Sequence, residues 1–533
     1  MDVQKMSNVP SLSPHQSFKI MLITNIIVTP YFEKKICDTF VNENDCVEVF
    51  IKNNVEFIDE TIESIQPVNL VIILLNFENL YSNVYNDIVV DRKVEEKIVT
   101  GEIENYKYII SSIRKKTNVP IIWFGYEDYC YFECWNAVGH IPIANRLVDQ
   151  VNFVLCQALD GIATFVDLKI LISKIGISAA YDRRKKYLWN APYSKALIEA
   201  IVKEIHKQYL IEMGNTKKCL VVDCDNVLWG GILSEDGIEN LKLGGIGLGR
   251  VYQDFQRFIL LLHYHGVIVT LCSKNNLSDV LTIFREHSGM VLKESHIACF
   301  QVNWKDKPSN ILKIAKKLNI GLESMVFVDD SPIEIEAVKT MLPEVVTILF
   351  KRELDYTLFS CFNLKNNVNL ADIEKRIVTY HTNEKRDEFK GKFSNYNEYV
   401  RALNVKTEIH KIVSTEYSRV SELTQRTNKC TNGSRFTVQE IKDCIENEGL
   451  DFYTVHVSDR FSDLGLVGTF AVNDNKLILF SLSCRALGRG VEQIMLEYIM
   501  SHWNIKKILF HPTMKNASLR AIFEETVHPV FTE

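Results

Sequence analysis

The chain reads as a multi-domain α/β protein, and three features of its sequence predict this. Its 533 residues exceed what one core supports, and about one domain per 150 residues suggests three or four. Short apolar runs of strand length, among them VNLVIILLNF, CLVV and VIVTLCS, alternate with stretches of helical spacing, the pattern of parallel sheets covered by helices. Residues able to do chemistry follow several of these runs directly, at the carboxyl ends of strands where open α/β sheets gather their ligands.

Composition narrows the class. With 47% hydrophobic and 24% charged residues, ample core can form. A net charge of -6, without a basic stripe, argues against a nucleic-acid binder. The thirteen cysteines follow no repeating frame and no signal peptide precedes them, so a reduced, cytoplasmic protein is expected. The longest apolar stretch, Val68 to Phe77, contains Asn69 and Asn76 and falls short of the roughly 20 residues of a membrane span.

Residues 1–17 are polar, contain Pro10 and Pro14 and show no periodicity, so a disordered lead-in is expected. Residues 18–194 form a small α/β domain of the SGNH/flavodoxin-like type, with strands at KIMLITNIIV, VNLVIILLNF and VPIIWFGY and helical spacing from Tyr106 to Lys116. An esterase of this layout requires a serine after the first strand and a late Asp-x-x-His; the first loop has Asn25 and Thr29 instead, and a binding or docking domain is expected. Cys130 and Cys134 lack the second pair of a zinc site and read as buried thiols.

Residues 195–352 carry the chemistry. Leu197, Ile198, Ile201, Val202, Ile205, Tyr209 and Met213 mark an amphipathic leading helix, stopped by Gly214. The strand Cys219 to Val222 delivers Asp223-Cys224-Asp225, two carboxylates one residue apart. That spacing suits Mg²⁺ together with a phosphate, one acid attacking phosphorus and the other moving a proton. After a helix from Tyr252 to His265, VIVTLCS ends in Ser273, whose hydroxyl can bond a phosphate oxygen. Lys307 opens the next helix and offers fixed positive charge. A third strand, MVFVDD, ends in Asp329-Asp330, with Glu334 four residues beyond.

This order of acids, hydroxyl, lysine and acids resembles the four motifs of the haloacid dehalogenase (HAD) superfamily. The flanks DCDNVLWGG, LCSKNN, NWKDKPSNI and FVDDSP resemble the FkbH-like family, a HAD-like Rossmannoid core between an N-terminal α/β domain and a C-terminal GNAT-like α+β domain. The resemblance implies Asp223 as nucleophile and Asp225 as general acid and base. It implies Ser273 and Lys307 as phosphoryl holders, and Mg²⁺ bound by Asp223, Asp330 and the backbone carbonyl of Asp225, with Asp329 an alternative ligand. Val227 stands where threonine is commoner. Only about thirty residues separate the second strand from Lys307, too few for a large cap, so a phosphate carried on a protein-bound arm could enter.

Residues 353–403 read as a helical connector in which Asn383, Lys385 and Arg386 form a solvated face. Residues 404–533 contain LTQRTNKCTNGSRFT, a polar loop, then strands FYTVHV, LVGTFAV and KLILFSLS. Next come the turn Arg485-Ala486-Leu487-Gly488-Arg489-Gly490 and a helix from Val491 to Trp503, an arrangement able to bind phosphate through Arg485, Gly488 and Gly490. HPTMKNASLRAIFEE resembles the second cofactor motif of GNAT acetyltransferases, which would turn Asn516 toward a phosphopantetheine arm; the glycine-aromatic strand of that pattern does not follow before Glu533. Cys272 and Cys484 are candidates to capture an acyl group, alongside the carrier's own thiol.

The resemblance therefore implies a Mg²⁺-dependent enzyme that takes a glyceryl unit from 1,3-bisphosphoglycerate to an acyl carrier protein and removes its phosphate, in polyketide or related biosynthesis. Nucleic-acid and membrane partners are not expected. The alternatives are a free-standing phosphatase of a small phosphorylated metabolite or sugar in glycan assembly, and a non-catalytic interaction protein on the same scaffold.

Overall fold

The computed structural model describes residues 17–41, 46–52, 68–82, 95–114, 117, 119–127, 143–160, 162–353, 355–364, 370–393, 395–447, 449–513, 516–526 and 530–532. The lead-in up to residue 16, the Cys130 and Cys134 pair, and the side chains of Asn383 and Lys385 lie outside this description. The chain divides into two compact units, residues 1–213 and 214–533.

The first unit is built on a parallel sheet of order β2-β1-β3-β4-β5, from β1 (Phe18–Thr24), β2 (Val47–Lys52), β3 (Leu70–Leu74), β4 (Ile121–Phe124) and β5 (Thr164–Val166). All five residues of β3 are buried, as an unbroken apolar run at the centre of a parallel sheet requires. Helix α1 (Pro30–Phe40) starts where Thr29 Oγ1 accepts from Phe32 N–H at 3.4 Å and Pro30 occupies the first turn. Helices α2 (Glu95–Arg114) and α3 (Ile143–Ala158) cover the opposite face, burying Ile109, Ile113, Val151 and Leu155.

Helix α4 (Lys195–Glu212) also belongs to this unit. Its stripe of Leu197, Ile198, Ile201, Val202 and Ile205 packs with Leu22, Phe32 and Ile36. The sequence assigned this helix to the catalytic segment, but an amphipathic pattern shows only that a face is buried, not which sheet buries it. Gly214, at φ 70°, supplies the left-handed stop that was expected.

In the second unit, β6 (Cys219–Val222), β7 (Ile268–Ser273), β8 (Ile297–Val302), β9 (Met325–Asp329) and β10 (Val346–Leu349) form a parallel sheet of order β10-β9-β6-β7-β8. Strand β6 is central, so its carboxyl end is flanked by those of β7 and β9. Helices α5 (Leu248–Tyr264), α6 (Leu277–Glu286), α7 (Lys307–Leu318) and α8 (Pro332–Met341) join the strands. The α/β class with a HAD-like core is thus observed.

Helix α9 (Leu370–Lys390) leads to a six-stranded sheet of order β11-β12-β13-β14-β15-β16. Its strands are β11 (Lys406–Lys411), β12 (Asp451–Ser458), β13 (Asp463–Asn473), β14 (Lys476–Leu482), β15 (Lys507–Leu509) and β16 (Val530–Thr532), the first four antiparallel and the last two joined in parallel. Helices α10 (Tyr417–Arg426) and α11 (Val438–Glu446) pack on one face, and α12 (Val491–His502) and α13 (Ala517–Thr526) on the other.

Arg386 corrects the expectation of a solvated face on α9. It is buried, with Nε 2.8 Å from Asp459 Oδ2 and Nη2 3.0 Å from Asp459 Oδ1. Burial opposes ionisation of Asp459, yet the Arg386 fork holds this carboxyl below its usual range. Arg386 thereby pins the helix to the C-terminal sheet.

Candidate active site

The acids meet where the central strands end. Ligating oxygens of Asp223, Asp329 and Asp330 all lie within 4.8 Å of one another. Lys307 stands among them, its Nζ 2.8 Å from Asp223 Oδ1 and 2.7 Å from Asp329 Oδ2. Local chemistry puts it there. Asp306 caps α7 by accepting from Ser309 N–H at 2.8 Å, with Pro308 in the first turn, so the helix begins at Lys307.

The two acids of the last motif are not equivalent. Asp329 is fully buried and both its oxygens are engaged, Oδ2 by Lys307 and Oδ1 by Ser331 N–H at 2.9 Å. Asp330 is only partly buried, which leaves it better placed than Asp329 to hold a cation. Burial and the neighbouring Asp223 charge push Asp329 up to about 6, against the opposing pull of Lys307. The same two causes raise Asp330.

Asp225 faces elsewhere. Its Oδ1 accepts from Trp229 Nε1 at 2.8 Å and Leu233 N–H at 3.1 Å, and its Oδ2 accepts from Asn275 Nδ2 at 2.9 Å. Its carboxylate therefore does not join the acid cluster as a metal ligand. Asn275 also donates to Ser273 Oγ at 3.1 Å, linking the second acid to the β7 hydroxyl. Asn275 and Trp229 were missed in the sequence, although both sit inside the quoted motifs. Nothing local marks an amide or indole as the partner of an acid fifty residues or one turn away.

A hard cation fits this donor set. Among the described residues, Lys307 is the ammonium paired with this cluster, while Lys274 is paired with Glu334 at 2.6 Å. Like charges 4.8 Å apart repel by roughly 3 kcal/mol at an effective dielectric near 20. Asp223 Oδ1 has the Lys307 ion pair but no aligned hydrogen-bond donor, which leaves a lone pair for a metal.

Neither predicted thiol joins the acid cluster. Cys272 is buried among Ile311, Ile314, Phe327 and Val338, and burial pushes its thiol up to about 12 despite the nearby Lys307 charge. Alternation explains this: Ser273 ends the strand at the site, so Cys272 points through the sheet. Cys484 lines a cavity of about 120 Å³ that Lys218, Ile268 and Ser324 place at the amino ends of the central strands. Six cationic side chains, Lys218, Arg376, Arg419, Arg426, Lys429 and Arg485, line it against Glu323 and Glu422. Burial opposes ionisation of Glu422, but Arg419, Arg426 and Arg376 hold it well below its usual range. Burial raises Cys484, although Lys429 and Lys218 oppose the shift.

A glycine turn opens α12, with Gly488 at φ 73° and Gly490 at φ 74°. Arg485 is buried, and its Nη2 donates to Leu466 O at 3.4 Å. Burial also raises Glu492, in the first turn of α12, and its own backbone N–H bonds to it. An acid there competes with any phosphate for the helix start. Asn516 corrects the sequence expectation: it is fully buried, donating to Thr431 O at 3.1 Å and His511 O at 3.0 Å while accepting from Thr513 N–H at 2.7 Å. Its amide is consumed in clasping loops and does not face an open groove.

Residues 218–371 match the family model for NIF, NLI interacting factor-like phosphatase. Among solved structures, the phosphatase-domain-containing N-terminal part of BF1531 from Bacteroides fragilis, complexed with Mg, is 23% identical with a TM-score of 0.56, covering 65% of this chain and 94% of that one. HAD family enzyme bt-2542 from Bacteroides thetaiotaomicron is 15% identical over 27% of this chain and 97% of that one, with a TM-score of 0.20. No curated protein matches. No helix among the described residues is long and apolar enough to cross a membrane, and the eleven described cysteines are free thiols. With the strand-end acids, Lys307 and the family match together, residues 218–371 form a HAD-like phosphatase domain, and the chain is an enzyme.

Proposed function

We propose that this chain transfers a glyceryl unit from 1,3-bisphosphoglycerate to an acyl carrier protein and dephosphorylates it, with Asp223 as the nucleophile. The observation that carries the phosphoryl chemistry is Lys307 bridging Asp223 and Asp329 beside Asp330. The motif flanks support the choice of substrate and carrier, and the cationic cavity suits the phosphate of a pantetheine arm.

Asp223 and Asp330 would hold Mg²⁺, with Asp329 held back by Lys307 and Ser331. The ion would neutralise charge on the transferring phosphoryl group, and the similar BF1531 phosphatase domain is complexed with Mg. Asp223 attacks phosphorus, the bond from phosphorus to the ester oxygen breaks, and Asp225 delivers a proton to that oxygen. Asp225 then takes a proton from water as the water attacks the aspartyl phosphate, releasing inorganic phosphate and restoring Asp223. Asn275 holds Asp225 beside Ser273, and Lys307 and Ser273 stabilise the phosphoryl oxygens. In the acyl step a thiolate attacks the acyl phosphate carbonyl, forming a thioester and expelling phosphate. Because Cys272 is enclosed in the core, the carrier's own thiol is the preferred acceptor.

Intact mass measurement of a carrier incubated with the chain, Mg²⁺ and 1,3-bisphosphoglycerate tests this reading. A glyceryl mass increment is expected, and its absence across candidate carriers would overturn the transfer. A second reading, a free-standing phosphatase of a small phosphorylated metabolite or sugar, is favoured by the enclosure of Cys272 and Asn516. Phosphate release indifferent to any carrier would select it.

A further inference from the structure

We propose that His410, Glu416 and His456 form a zinc site on the C-terminal sheet, independent of the acid cluster. His410 lies on the edge strand β11, His456 on its neighbour β12, and Glu416 in the turn that enters α10. One ligand atom from each lies within 4.8 Å of the other two. Two imidazoles and one carboxylate are the donor set of a three-ligand zinc centre.

The spacing fits a metal. Glu416 Oε1 is 2.8 Å from His456 Nε2 and 3.7 Å from His410 Nε2. Tetrahedral zinc with bonds of about 2.0–2.1 Å sets its ligand atoms roughly 3.3 Å apart, between those two values. A hydrogen bond alone accounts for one imidazole at this oxygen. It does not account for two.

The surroundings orient each ligand. Glu416 Oε2 accepts from Val413 N–H and Thr454 Oγ–H, both at 3.1 Å, so Oε1 is the oxygen that faces the imidazoles. In its Nδ1–H tautomer His410 donates to the Lys411 carbonyl at 3.0 Å, which turns the Nε2 lone pair toward Glu416. A backbone carbonyl on the far imidazole nitrogen and a hydroxyl on the free carboxylate oxygen are the outer contacts that fix metal ligands. The two rings lie 5.2 Å apart at 23°.

The donors also select the ion. Imidazole nitrogen suits zinc, whereas Mg²⁺ prefers the all-oxygen cluster at Asp223, Asp329 and Asp330. The side chains of His410 and His456 are 44% and 35% exposed, which gives zinc a path in and leaves a coordination position to water. The strand β11 is an edge, so the ion would tie it to β12 and to the turn before α10. Binding energy there becomes stability of that sheet edge.

The test uses the full chain, stripped with chelator, reloaded with Zn²⁺ under excess Mg²⁺, dialysed and assayed by elemental analysis. Wild type should retain one zinc per chain more than His410→Ala and His456→Ala. Co²⁺ loading should give visible ligand-field absorption that both variants lose, and zinc should raise the melting temperature of wild type only. Phosphatase activity should be the same in all three proteins. Equal zinc retention in wild type and His410→Ala, whose exposed side chain is not needed for folding, would overturn the site.

Discussion

The first parallel sheet and the central one share an architecture but not a charge. At the strand ends of the first unit most of the polar groups pair with one another, Glu127 Oε2 being buried without a partner among the described residues. Asn25 Nδ2 donates to Asn76 O at 2.9 Å, Asn76 N–H returns a bond to Asn25 Oδ1 at 2.6 Å, and Asn76 Nδ2 reaches Glu127 Oε1 at 2.7 Å. Tyr193 donates to the same Glu127 oxygen at 3.0 Å, and burial raises that carboxyl above its usual range. In the central sheet the same positions hold acids that repel one another around a single lysine. One set of strand ends is largely closed by hydrogen bonds between neutral amides, a phenol and one carboxyl. The other is left short of positive charge, and a site that lacks charge can bind and turn over a ligand.

The sharpest break of this contrast is Asp223→Asn, which should lower phosphate release by at least about 10³-fold without unfolding the chain, checked by kinetics and circular dichroism. Asp225→Asn should follow with a loss of about 10²–10⁴-fold and binding of phosphate retained. Lys307→Met leaves the buried Asp223 and Asp329 without their cation and should cost roughly 3–5 kcal/mol in the metal-free protein, recovered in part by Mg²⁺ in denaturant titrations.

A smaller effect concerns pH. The folded protein raises Asp329 from 3.8 to about 6, so this group's stabilisation is complete below pH 3.8 and fades as pH rises through about 6. Melting-temperature gain on adding Mg²⁺ should therefore grow across that window. In the first unit, Asn76→Ala should cost about 1–3 kcal/mol by removing a donor from the buried Glu127 and the acceptor of Asn79 N–H, with no change in phosphate release.

What could be read in the sequence follows from how local each signal is. An apolar run that ends in an acid announces a strand-end carboxylate by itself, and Lys307 is announced by the cap and proline around it. The choice between Asp329 and Asp330 is not local, because it rests on Lys307 and Ser331 closing around one of them. Cys272 was legible and misjudged: strand alternation already opposes it to Ser273. Arg386 carries no such clue, since its partner Asp459 lies 73 positions on. The same holds for Asn516 and Thr431, which are 85 positions apart.

The central strand has a direction, and the two candidate stations sit at its opposite poles. Lys218, before its first residue, lines the basic cavity with Cys484, while Asp223 follows its last. The five residue steps from Lys218 to Asp223, at about 3.3 Å each, put roughly 17 Å of packed backbone between them. If the proposed glyceryl transfer uses both, the packed sheet lies between them, and the acyl group would reach the second on the carrier's flexible arm.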